Sequence, residues 1–247
     1  MLGSMKLFFA LEDALPAGAG FSLRSPAHLT ALALAAALIA GLCLGFRRAS
    51  ARGRTALRRG VGWAVLALEL LRVANLAAHG AFSVYYLPLH LCGLAVFFTL
   101  GHALRPGALL GNFLYSTCMP GAAFALLFPD WTAYPVWSFH SLVAFAAHAL
   151  LVAYPLMLVC GGALRPEPRL LPRCFALLLA LAAAVWGFDR LADANYMFLL
   201  APAPGSPLEW FAALLGNPGY LLGYLPMLAA VWAALYLPLR RRARPLF

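Results

Sequence analysis

Charge is what this chain has least of. Acidic residues number 8, lysine occurs once (Lys6), and charged positions make up only 11% of 247 residues. A soluble domain is about a quarter charged and about half apolar. Here apolar residues reach 64% and mean hydropathy is +0.85, which excludes an ordinary soluble enzyme or soluble binding module. Cysteine pairing is also missing. The five cysteines, at 43, 92, 118, 160 and 174, are odd in number and form no CxxC, so neither a disulfide framework nor a zinc site is indicated. No Walker A loop, HExxH helix or HxxxxD motif occurs, and nothing points to a nucleotide, a catalytic metal or another cofactor. The chain has no evident repeat, low-complexity tract or separate soluble domain.

What it does have is apolar length. A membrane crossing needs about 20 mostly apolar residues, since about 30 Å of hydrocarbon must be spanned at about 1.5 Å per helical residue. Seven segments qualify, at roughly 28–46, 60–79, 86–104, 108–128, 138–159, 171–189 and 218–238. The expectation is an all-α, seven-helix transmembrane bundle. Pro88 makes the third segment the least regular, and bends are expected at Pro120-Gly121 and near Pro155. The stretch from Arg190 to Asn217 is proline-rich, and a short amphipathic helix is expected around Leu208 to Leu215.

The arginines orient this bundle. Arg47, Arg48, Arg52, Arg54, Arg58 and Arg59 follow the first segment, Arg105 the third, Arg165, Arg169 and Arg173 the fifth, and Arg240, Arg241, Arg242 and Arg244 the seventh. The other side holds Lys6, Arg24 and Arg190 among most of the acids. Positive loops stay cytoplasmic, which places the N-terminus outside and the C-terminus inside. Residues 1–27 then form an extracytoplasmic segment, 28–238 a single seven-helix domain and 239–247 a basic cytoplasmic tail. Met1 to Gly20 does not read as a cleaved signal peptide, because its apolar core is short and Glu12 and Asp13 interrupt it. A net charge of +10 concentrated in this way suits anionic inner-leaflet lipids, and no nucleic-acid readout element accompanies it.

Against this apolar background, a few polar residues stand out. Glu69, Arg72, Asn75 and His79 fall within an arc of about 120° on the second segment. They form either a structural network or one wall of a site, because intramembrane charges mark function by default. Leu87-Pro88-Leu89-His90-Leu91-Cys92 opens the third segment, with His90 and Cys92 about 200° apart on a regular helix. His140 and His148 lie on the fifth. Depth counted at about 1.5 Å per residue gathers these groups in the outer half of the bilayer, where one cavity would accommodate them.

A lone cysteine in an apolar span is ordinarily an inert small hydrophobe. Given a base, Cys92 becomes a nucleophile suited to acyl transfer from a lipid ester. His148 is the first choice of base and His140 the second, since both approach from another helix. Arg72 is suited to a phosphate, Asn75 or Asn195 to a developing oxyanion, and His90 to shaping the site.

The same residues carry a resemblance. Leu87 to Cys92, then Pro120-Gly121-Ala122, Leu127-Phe128-Pro129-Asp130, Ala147-His148, Asn195-Tyr196-Met197-Phe198-Leu199, Pro202, Gly216-Asn217-Pro218 and Tyr220 resemble the motifs of the YwaF-like integral membrane family. The likeness runs from about residue 60 to 238. It implies kinship with animal transmembrane phospholipid acyltransferases and with membrane lipid-ester hydrolases that use a threonine or cysteine nucleophile and a histidine. Carried onto this chain, the nucleophile is Cys92 and the histidine His148, with Tyr196 among the supporting residues. The expected protein is a multi-pass enzyme of the bacterial inner membrane, with membrane phospholipids as substrate and environment. The alternative is a non-enzymatic transporter or ligand-binding protein, in which Glu69, Arg72, Asn75 and the histidines line a path. A haem protein with histidine ligands is the third reading.

Overall fold

Three serines mark where long helices begin. Ser25, Ser50 and Ser138 each accept a hydrogen bond from the backbone N–H three residues on, at His28, Gly53 and Ser141, which satisfies a donor that a helix start leaves free. The helices that follow are α1 (Pro26–Arg48), α2 (Ala51–Ala78) and α5 (Phe139–Cys160). Between α2 and α5 come α3 (Leu91–Leu104) and α4 (Ala108–Leu127). After α5 come α6 (Leu171–Ala192), the short α7 (Pro207–Leu215) and α8 (Tyr224–Arg242). This computed structural model describes residues 7–203 and 205–242, with the side chains of 239–242 excepted. Met1 to Lys6 and the end of the expected basic tail lie outside the described residues.

Among the described residues there is no strand, and six helices are long and apolar enough to cross a membrane. The third expected segment, 86–104, differs. Its helix occupies only the 14 residues of α3, about 21 Å at about 1.5 Å per residue, short of the hydrocarbon thickness. Pro88 is the physical reason. It offers no N–H and forces the residue before it out of the helical region, and Leu87 is accordingly extended, at φ −64° and ψ 149°. The arginine loop expected from Arg47 to Arg59 is also shorter than its charges suggest. Only Ala49 and Ser50 separate α1 from α2, and the following arginines lie on the first turns of α2.

The irregularity expected at Pro120-Gly121 occurs one turn earlier, as a π-helical stretch over Leu114–Cys118. Pro120 cannot donate to the carbonyl of Ser116, and the Trp232 indole N–H donates to that carbonyl instead, at 3.1 Å. The helix α5 continues through Pro155. Both α4 and α5 bury half or more of their residues, whereas the other long helices bury fewer than a quarter. These two are the centre of the bundle, and α5 packs against α1, α2, α3 and α4.

Hydrogen bonds between helix ends define two faces. On the basic face, Arg54 donates to the carbonyls of Arg47, Ala49 and Gly161, and Arg58 donates to Ala103. These cations close carbonyl-bearing helix ends, where the dipole favours positive charge. On the opposite face, His28 Nε2 donates to Leu126 O at 3.0 Å and Phe21 N–H to Thr132 O at 2.9 Å. The candidate site lies on this second face.

At the start of α3, Gly93 allows the chain to double back. A Cβ there would lie 2.7–2.8 Å from backbone atoms of Pro88, which cannot swing aside as a side chain can. Gly93→Ala is expected to cost about 1–3 kcal/mol through overpacking, read as a lowered midpoint in thermal unfolding of the purified protein. An unchanged midpoint would show that Pro88 does not rest on that first turn.

Candidate functional site

The segment from Ser83 to His90 is mostly non-helical, and its polar backbone is held by side chains from two other elements. From α2, Arg72 donates through Nη2 to Tyr86 O at 2.8 Å. The same guanidinium is fixed by Glu69, with Nη2–Oε1 at 2.6 Å and Nε–Oε2 at 3.0 Å. From the loop after α6, the Tyr196 hydroxyl donates to Val84 O at 2.6 Å, and Met197 N–H donates to His90 Nδ1 at 3.2 Å. The His90 ring stands edge-on to Tyr196, centroids 4.9 Å apart. Burial raises the Tyr196 phenol above the ordinary tyrosine range, so that it acts as a neutral donor.

Cys92 lies one residue into α3 and His148 midway along α5; both are half-buried. The His148 Nδ1 is 2.8 Å from Ala144 O. A carbonyl only accepts, so Nδ1 carries the proton and Nε2 keeps its lone pair. The imidazole is stacked on Trp131, with centroids 5.1 Å apart and an interplanar angle of 26°. His140 is stacked on Tyr134 at 4.1 Å and 12°, where burial also raises the phenol. The carboxylate of Asp130 is within electrostatic reach of His90, Cys92, His140 and His148. All four therefore belong to one end of the bundle, although they come from two helices and a cap.

The two asparagines are occupied. Asn195 accepts from Leu200 N–H and Ala201 N–H and donates to Ala201 O, so its amide organises the loop that carries Tyr196 and Met197. Asn75 donates to Phe9 O at 3.4 Å, which ties α2 to the N-terminal segment. Both amides thus bond backbone groups in this arrangement.

Three residues at this end were not singled out from sequence. Asp130 reads there as a loop charge. Trp131, which follows it, is buried with an unpartnered Nε1. Asp189 reads as an outer acid at the end of α6, yet it is fully buried. One of its oxygens accepts from Tyr196 N–H at 3.0 Å and the other has no partner. The only signal for any of them was Asp130's place in the Leu127-to-Asp130 motif. At the basic end, His102 bonds Tyr154 through Nδ1 at 2.8 Å and is remote from this group. Among the described residues no three His, Cys, Asp or Glu side chains gather as metal ligands would. An open depression of about 520 Å³ lies between residues 12–22 and Thr132–Ala133; neither Cys92 nor His148 lines it.

The model of a transmembrane family, the TMEM164 family, matches residues 23–236 of this chain. No curated protein and no solved structure matches it.

The Glu69–Arg72 pair, at 13% and 23% side-chain exposure, is sheltered enough for loss of one partner to matter. Glu69→Met is expected to destabilise by about 3 kcal/mol, because it strands the guanidinium, and Glu69→Met with Arg72→Met to recover part of that loss. A single variant as stable as the double, in thermal unfolding, would mean that solvent already screens the pair.

Proposed function

This chain belongs to the TMEM164 family, and from that premise we propose that it is a lipid acyltransferase or lipid-ester hydrolase acting through an acyl-Cys92 intermediate. His148 is the base. The observation that carries this reading is the fixed tautomer of His148. With Nδ1–H committed to Ala144 O, the basic nitrogen is Nε2, on a half-buried ring that shares the reach of Asp130 with Cys92. The resemblance of Leu87 to Cys92 and of Ala147-His148 to motifs of the YwaF-like family, with the kinship to acyltransferases and lipid-ester hydrolases that it implies, supports the same pair.

The chemistry proceeds in two halves. His148 Nε2 takes the thiol proton as Cys92 Sγ attacks the ester carbonyl. An S–C bond forms and the carbonyl electrons move to oxygen. Collapse expels the lipid alkoxide, which recovers the proton from His148. A hydroxyl or water then attacks the thioester, loses its proton to His148, and Cys92 leaves as a thiolate that is reprotonated. Arg72 Nη1, not engaged by Glu69 or Tyr86, is available for a phosphate oxygen. His90, anchored by Met197, shapes the mouth.

In this reading the chain crosses the membrane seven times, with α3 and the Ser83–His90 segment together completing the third crossing. The basic face is cytoplasmic, by the distribution of arginine, and contacts anionic inner-leaflet lipids. The N-terminus is outside, the C-terminus inside, and the protein resides in a bacterial inner membrane.

Intact-mass measurement after incubation with phosphatidylethanolamine and phosphatidylglycerol vesicles is expected to show one acyl adduct, absent from Cys92→Ala. His148→Ala is expected to slow its formation by about 10²–10⁴-fold, with the thermal midpoint of both variants nearly unchanged. Full acyl transfer by Cys92→Ala would eliminate the covalent mechanism. Ligand uptake without any thioester would favour the transporter reading.

A further inference from the structure

Acyl transfer through Cys92 needs a donor for the oxyanion, and Asn75 and Asn195 each already hold backbone groups. We propose that the indole N–H of Trp131 is that donor, a catalytic residue of the site; this rests on the function proposed above.

Trp131 is 7% exposed, and its Nε1 is buried without a hydrogen-bond partner. Leaving such a donor unsatisfied costs about 1–3 kcal/mol, and an indole has no second polar atom with which to compensate. Two other buried groups on the neighbouring helices, Thr99 Oγ1 and Ser141 Oγ, are also unpartnered. A hydroxyl on a helix can rotate toward the carbonyl four residues back; the fixed indole has no such option. Its plane is set by His148 on one side and by Phe145, edge-on at 5.3 Å and 84°, on another.

The stacking brings the indole ring against the same imidazole whose Nε2 is the base. In the proposed step this N–H receives the oxygen of a carbonyl attacked by Cys92 and served by His148, as that oxygen gains charge. In a site poor in water, such a donor lowers the barrier for both formation and collapse of the tetrahedral intermediate.

The discriminating experiment compares the full-length protein with Cys92→Ala, Trp131→Phe and a variant carrying the benzothiophene isostere of tryptophan at position 131. The isostere keeps size and stacking and removes only the N–H, so it remains informative if Trp131→Phe folds poorly. Each is incubated in detergent with para-nitrophenyl octanoate, and acyl-Cys92 is followed by intact mass together with the thermal midpoint. The expected result is an adduct in the unmodified protein, none in Cys92→Ala, and formation slowed about 100-fold by the isostere. The slowing should lie in kcat rather than KM, with no loss of thermal stability. An isostere that acylates at the unmodified rate overturns the role of Trp131 and leaves the Cys92 mechanism standing. An unmodified protein that forms no adduct, or an adduct that persists in Cys92→Ala, overturns both.

Discussion

Backbone carbonyls and amides outside a helix need partners from elsewhere in the fold, and the stretch from Ser83 to His90 is where this chain meets that constraint. A helix satisfies its own backbone; a non-helical segment is satisfied by its neighbours or by solvent. Here Arg72 serves Tyr86, Tyr196 serves Val84, and His90 receives Met197. The start of α3, and with it the position of Cys92, depends on those bonds. Gly93 completes the arrangement by letting the Pro88 backbone rest on the first turn.

The Glu69–Arg72 pair gains its meaning from this setting. As an isolated i,i+3 pair on a helix surface it would contribute a few tenths of a kcal/mol. In the structure Glu69 orients the guanidinium so that one nitrogen reaches a carbonyl on another element. The loop after α6 is organised in the same manner from within, by the Asn195 amide. Its Tyr196 and Met197 then act on the Ser83–His90 segment. Positioning runs inward from α2 and from the α6 loop toward the entrance of α3.

The site so positioned joins groups of different character. His148 is committed at one nitrogen and free at the other, Trp131 is stacked on it with an unengaged donor, and Asp130 exerts its charge on both sides of the entrance. A carboxylate, an imidazole and an indole thus share one end of the bundle with the start of the thiol-bearing helix α3.

Composition and period alone determined much of this protein. Apolar runs of helical length announced the long helices, because hydrocarbon admits almost nothing else. The arginines marked one end of the bundle by charge. Pro88 announced an irregular third segment, but how short α3 would be depended on backbone bonds made to α2 and to the loop after α6. The fates of Asn75 and Asn195 were equally illegible, since an amide that faces substrate and one that faces its own loop have the same sequence. Nothing along the chain distinguishes Trp131 or Asp189, and only packing shows that each keeps a buried atom without a partner. Local chemistry can be read along the chain; which atom is left over is decided only when distant segments meet.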